Sequence, residues 1–451
     1  MIDSSTYRAA IVTFLITLSI VDCVQSASQS IQGTSLTSSS TPSSDVTFFK
    51  LPQGLPVIIS RIPQSRTVSL SAITNLGQQD ESLPNLCGTR YLMAHAMRKG
   101  TRYLAGAQIT EAVADMGGTL NIRVEADFIA FNITVLKGHE SNAISLIAEL
   151  LAWPSLTNES IDSARAVSLS AQTRLRTNPL NFGYETARAL IYGNRPYGLS
   201  MAGYPNSIQQ IPGALLRRFH QIYVRSGNMV LAMAGDVDIR LMTKHLESAF
   251  RNLPAGAKPV KRLPVSVKFG ASRTAVKQMA TRRAHLIAAF PTTGYGHPDL
   301  MPLYVLATLA GRGIGSQLYQ AFREKTNFSY KADATYIPHR HAGELMLHLD
   351  LDPSQLEKAQ RHLEVTIKQV ANGNFDDKAV ARARAYLITT HQLACNPEYV
   401  AFQMATHEIL GDGFQSHINF PALIAAVDAS DVRRVAKKYM QRAVLVVILP
   451  E

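Results

Sequence analysis

The first clear pattern along the chain is a period-two alternation of apolar and polar positions. "VTFFKLPQGLPVIIS" alternates around a Gln53-Gly54 turn and predicts a β-hairpin, and "RTVSLSAITNLG" predicts a half-buried strand after it. Helical periodicity then takes over at about residues 85–97 and 107–116, the second helix stopped by Gly117-Gly118. "TLNIRVEAD" and "FIAFNITVL" return to strand periodicity, and a long apolar-striped helix from Glu140 to Ala152 ends near Pro154. Strands, helices, strands and helices in that order predict an α+β unit, a mainly antiparallel sheet with helices on one face.

The second half repeats this order. "AHLIAAFP" reads as a strand, "MPLYVLATLAG" as a helix, "GELMLHLDLD" as a strand and "SQLEKAQRHLEVTIKQVANG" as a helix. Sliding the sequence by 218 residues brings Asn178-Pro179 onto Asn396-Pro397 without a gap. The same shift matches Leu169 with Leu387, Leu175 with Leu393, Tyr184 with Phe402, Ala187 with Ala405, Ile191 with Ile409 and Gly193 with Gly411. Two tandem copies of one fold, facing across a cavity, are the economical reading. The copies are expected at 46–255 and 281–451, joined by a basic linker at 256–280.

Composition changes this picture only at its edges. The 451 residues suffice for two cores, and 46% hydrophobic against 17% charged residues excludes general disorder. The net charge of +12 raises acidic partners, and eight Lys and Arg fall between Lys258 and Arg283 with no acid among them. Phe269 is the one aromatic of that stretch, so the stacking platforms of a nucleic-acid binder are missing and a solvated linker is expected, with no nucleic acid as partner. Cys23, Cys87 and Cys395 have no C-x-x-C spacing, which argues against a disulfide framework or a zinc ribbon. The run from Ala9 to Val21 is too short to span a bilayer and predicts a signal peptide over 1–27, a flexible Ser/Thr tether over 28–45, and no membrane span after cleavage.

The stretch "GTRYLMAHAMRKGT", residues 88–101, has one group able to bind a metal, His95. With the repeat, this stretch resembles the pitrilysin/insulinase family of zinc metallopeptidases (inverzincins) from about Phe48 to Pro450. Active members place H-x-x-E-H on the first helix of the first repeat, followed by Lys-Gly-Thr. Here Lys99-Gly100-Thr101 is in place and His95 stands at the second histidine, but Tyr91 occupies the first histidine position and Ala94 that of the glutamate. The family's third ligand, a glutamate on the helix before the Asn-Pro break, falls 76 residues past His95 at Ala171, and no acid occurs from Ser163 to Asn181. A catalytic zinc takes three protein ligands and leaves a position for the water it acidifies, and a carboxylate must take that water's proton. The resemblance therefore implies a degenerate motif with no catalytic residues and no metal at Tyr91, Ala94, His95 and Ala171.

In the second half, "GRGIGSQLYQAFREKTNFSYKADATY" resembles the family segment that carries a substrate-contacting arginine and tyrosine in the inactive subunit of paired members. Arg323 and Tyr330 fall on those positions; both can donate to a carbonyl oxygen that becomes negative. Gly311, Gly313 and Gly315 lack the Lys-Ser/Thr of a phosphate loop and are read as a helix-ending turn. The resemblance implies a non-catalytic subunit that contributes peptide or unfolded-polypeptide binding to an active zinc peptidase homologue with an intact motif, the zinc residing in that partner. A periplasmic or secreted location follows from the signal peptide. The alternative is a mitochondrial structural core subunit of a respiratory complex or of a processing peptidase.

Overall fold

A computed structural model describes residues 46–81, 84–256 and 273–451. The expected signal peptide, tether and Cys23, and residues 257–272 of the expected linker, lie outside the described residues. Strands β1 (Val46–Lys50), β2 (Pro56–Arg61), β3 (Thr67–Thr74), β4 (Thr119–Val124), β5 (Ile129–Leu136) and β6 (Met229–Gly235) form the first sheet in the order β1-β2-β6-β3-β5-β4. Strands β7 (Arg273–Met279), β8 (Ala284–Thr292), β9 (Ser329–Pro338), β10 (Gly343–Leu351) and β11 (Val444–Pro450) form the second, β7-β11-β8-β10-β9. Apart from the hairpin strand β1, the two orders are identical. In each sheet one parallel pair, β2 with β6 and β11 with β7, sits among antiparallel neighbours.

The helices of the first half are α1 (Thr89–Met97), α2 (Gly106–Asp115), α3 (Glu140–Ala152), α4 (Asn158–Thr177), α5 (Pro179–Tyr192), α6 (Pro205–Gln210), α7 (Gly213–Tyr223) and α8 (Ile239–Phe250). Those of the second are α9 (Leu300–Gly311), α10 (Gln317–Tyr319), α11 (Leu356–Ala371), α12 (Asp377–Ala394), α13 (Pro397–Leu410), α14 (Gln415–Ile418), α15 (Phe420–Ala425) and α16 (Ala429–Tyr439). The Asn-Pro breaks are built alike. Asn178 Oδ1 accepts from Asn181 N at 3.0 Å and Asn396 Oδ1 from Tyr399 N at 2.9 Å, each capping a helix whose first residue is the proline.

Each sheet packs its own helices on one face, giving two large cores. The opposite faces are covered by exchange. Helix α13 of the second half lays Val400, Ala401, Met404 and Ala405 on Ile58, Ile73, Ala130 and Ala232 of the first sheet. Helix α5 of the first half lays Ala187 and Ile191 on Ile287, Ala289, Val446 and Ile448 of the second. The expected α+β architecture of two repeats is present, and the exchanged helices add to it a cover for the second face of each sheet, whose central strands are apolar on both sides.

Polar groups stitch the seam between the halves. Tyr197 donates to Asp127 Oδ1 at 2.6 Å and stacks on His339, and Arg340 N donates to Asp127 Oδ2 at 2.9 Å. His339 Nε2 lies 3.1 Å from both carboxylate oxygens of the fully buried Glu344. Part of the expected linker is corrected: Arg273–Met279 is strand β7, paired in parallel with β11 at the sheet's edge. Its basic and polar side chains face solvent, as an edge strand guarded against further pairing requires, and they hid its alternation. Among the described residues no helix is long and apolar enough to cross a membrane.

Candidate functional site

Helix α1 is set by the residues in front of it. Gly88 caps it at φ +95°, and a Cβ there would stand 2.8 Å from Gly203 Cα, so only glycine lets the 202–203 turn approach. Arg90, fully buried, forms an ion pair with buried Glu81 at 3.1 Å and donates to the carbonyls of Leu76 and Glu125. Leu92, Met93, Ala96 and Met97 fill the first core. These contacts hold α1 along α4, the pair of helices on which the resemblance places a zinc site.

What that frame presents is an aromatic and cationic surface. Tyr91 and His95 are half-buried with their rings 4.4 Å apart. Ala94 is fully buried, and Ala171, half-buried on α4, offers a methyl group. Burial, reinforced by Arg98, Lys99 and Arg174, pushes His95 down to about 4, so its imidazole is neutral at physiological pH. Burial raises the Tyr91 phenol above its ordinary value, against Arg174. A cleft of about 1010 Å³ opens from His95 past Arg98, Lys99, Arg102 and Tyr103 to Ser155 and Ser160. One imidazole among three cations, with no carboxylate at the two positions that require one, does not fit a catalytic zinc, which takes three ligands and a proton acceptor.

The structure brings the two predicted substrate residues together. Arg323 lies on a π-helical turn, Gln320–Glu324, that follows α10, and its guanidinium stands 4.5 Å from the centre of the Tyr330 ring and 5.2 Å from that of Tyr319. Tyr330, on β9, is 73% exposed and Arg323 is half-buried, and neither belongs to a core cluster. Arg323 forms no ion pair with Glu324; it is held by aromatic faces, which orient the planar guanidinium and leave its N–H edge available. The glycine turn before it contains Gly313 at φ +81° and closes α9 as expected.

Sequence reasoning missed one group of chemistry-bearing residues. His391 and Cys395 at the end of α12 and His417 on α14 place their ligand-type atoms within 4.8 Å of one another. The signal available was His-x-x-x-Cys, four residues apart on a helix; His417, beyond an intervening helix, has no spacing rule. Cys395 is exposed, whereas Cys87 is buried, donates to Ser200 O and is pushed up to about 12 by burial.

Comparison with known proteins agrees with this architecture. Residues 56–202 match the family model described as insulinase (peptidase family M16), and residues 211–387 match that of the peptidase M16 inactive domain. An uncharacterized zinc protease of Streptomyces coelicolor is 24% identical over 399 residues, covering 87% of this chain and 86% of that protein. One from Rickettsia bellii is 24% identical over 355 residues, covering 78% and 84%. Among solved structures, a peptidase M16 inactive domain from Pseudomonas fluorescens superposes with a TM-score of 0.82 at 17% identity, covering 90% of this chain and 98% of that one. A protease from Helicobacter pylori gives the same score and identity, covering 90% and 100%. The two matched segments follow each other along the chain, the second beginning at residue 211 within the first half and running into the second, and the chain belongs to the insulinase (M16) peptidase family.

Proposed function

We propose that this chain is a non-catalytic subunit of a zinc peptidase of its family, one that binds peptide or unfolded polypeptide for an active partner carrying a complete H-x-x-E-H. The observation that carries the reading is the Arg323–Tyr330 pair, assembled at an exposed surface in a chain whose own motif offers a single imidazole. A guanidinium and an exposed phenol O–H are donors that suit an extended backbone and a carbonyl oxygen that gains negative charge. The π-helical turn beneath Arg323 supports it, since such turns occur frequently at functional sites. In this reading the catalytic zinc and general base belong to the partner, and the first 27 residues direct export to the periplasm or exterior.

The test is co-expression with the H-x-x-E-H homologue of the same genome and turnover of a quenched fluorescent peptide by the purified pair. Arg323→Ala and Tyr330→Phe leave assembly intact and lower kcat by about 100-fold, the scale for losing one oxyanion donor. Full turnover by an assembled double variant contradicts the role.

A further inference from the structure

Outside the degenerate motif, two helices of the second half, α12 and α14, assemble a cluster of metal-ligating side chains that the proposed function does not use. His391 and Cys395 stand four residues apart where α12 ends, so their side chains leave the same face. His417 reaches them from α14, and the nitrogen and sulfur atoms on offer lie within 4.8 Å of one another. We propose that His391, Cys395 and His417 bind one zinc ion through two imidazoles and a thiolate, with solvent completing a four-coordinate site.

The geometry is close to what the ion requires. Zn–N and Zn–S bonds of about 2.0–2.3 Å in a tetrahedron put ligand atoms roughly 3.5 Å apart, so the cluster closes by about 1 Å on binding. Side-chain rotation supplies that movement, since Cys395 is exposed and His391 half-buried. The Cys395 thiol now donates to His391 O at 3.1 Å; on binding, the S–H bond breaks, its proton goes to solvent and the S–Zn bond replaces it. A set of two nitrogens and one sulfur, with no carboxylate, selects zinc over magnesium, calcium or manganese.

The surroundings fix the ligands. Phe420 stacks on His391 at 4.7 Å, and Tyr399 meets the rings of His391 and His417 edge-on at 6.0 and 5.6 Å. His417 also stacks at 6.3 Å on His407, which is itself held by Asp412 through a 2.9 Å contact. These ring contacts limit how far the two imidazoles can turn. Packing alone would be served better by leucine or phenylalanine, which carry no ring nitrogen to desolvate.

The site has a structural consequence. Cys395 precedes and His417 follows α13, the helix laid across the first sheet, so an ion bound to both clamps that exchanged helix at its two ends. At the matching positions of the first copy stand Thr173, Thr177 and Leu199, which supply no such set.

The experiment uses the full chain, stripped with a chelator and titrated with zinc alone against a chromophoric indicator, then with cobalt. One equivalent of zinc binds, the melting midpoint rises, and cobalt gives a near-ultraviolet thiolate-to-metal band. Cys395→Ser and His417→Gln each remove the midpoint rise and weaken binding by about 100-fold or more, beyond the 10–100-fold that loss of an outer-sphere partner costs. Cys395→Ser also removes the cobalt band, and both variants melt like the metal-free parent. His95→Ala binds as the parent does. No bound equivalent, or parent-like binding in Cys395→Ser or His417→Gln, overturns the site. Binding kept in Cys395→Ser but lost in His95→Ala would overturn the proposed function as well, whereas loss of the site alone leaves that reading standing.

Discussion

The two copies of the fold hold their first helices in place by different electrostatics. In the first copy Glu81 faces Arg90, and both are sealed in the core, the arginine completely. The 218-residue shift carries Glu81 onto Asp299 and Arg90 onto Thr308. Asp299 is also buried, but it takes Arg434, Lys438 and the Tyr439 hydroxyl from α16, the two cations being about half exposed. Burial raises the Asp299 carboxyl, yet hydrogen bonds from Lys438, Arg434 and Tyr439 hold it well below the usual carboxylate range. The same anchor position is therefore served once by a single dry pair and once by a shared, wet set. Fold and chemistry separate in the same way across the copies: the Asn-Pro caps are retained in both, whereas groups able to bind metal or substrate are distributed unequally.

The sharpest way to break this comparison is to remove one cation from each anchor. Arg90→Met leaves the Glu81 carboxylate buried without a partner and lowers unfolding free energy by about 3–5 kcal/mol, read from urea denaturation. Lys438→Met leaves Arg434 and Tyr439 in place around Asp299 and costs less than about 1 kcal/mol, because its ammonium is exposed. Equal losses in the two variants would mean that the dry and wet anchors are energetically alike.

The seam between the copies gives a smaller effect that depends on pH. Burial lowers the His339 pKa, but the facing Glu344 and Asp127 outweigh it and raise the group above 6.5. Burial likewise raises Glu344, and His339 outweighs that, holding it below 4.5. The histidine's contribution is complete below its unfolded value and is lost as pH rises through its raised folded value. The glutamate's contribution is complete above its unfolded value and is lost as pH falls through its depressed folded value. Both are present between 4.5 and 6.5, and stability from this pair falls toward alkaline pH. Urea midpoints measured from about pH 6 to about pH 9 decline in the parent and flatten in His339→Gln. An unchanged slope in that variant would remove the pair from the account of the seam.

Much of this architecture was legible because its signals are local. The helix predicted from Glu140 to Ala152 has those bounds, and both Asn-Pro breaks cap helices as their sequences indicate. Strand β7 was not legible, because its edge position turns Arg273, Lys277 and Gln278 to solvent and erases the alternation. The exchange of α5 and α13 was not legible either. Buried residues surround much of α13, which announces a covered helix without saying which sheet covers it. At the site, the resemblance alone indicates position by position that Tyr91 and Ala171 stand where two ligands are expected and Ala94 where the base is expected. Arg98 and Lys99 stand one turn past His95 at the end of its own helix, whereas the charge that Arg174 brings from α4, and the meeting of His391 and Cys395 with His417, arise only when separate helices pack.

The central claim is that α1 and α4 retain the frame of a zinc site without its chemistry. The most direct measurement is the metal content and peptide hydrolysis of the full chain beside its His95→Ala variant, each purified without a partner. The account predicts equal metal content in the two and no hydrolysis by either, since one imidazole cannot supply both the three ligands of a catalytic zinc and a separate acceptor for the proton of its water. One zinc per chain lost together with a peptidase activity on His95→Ala would contradict it.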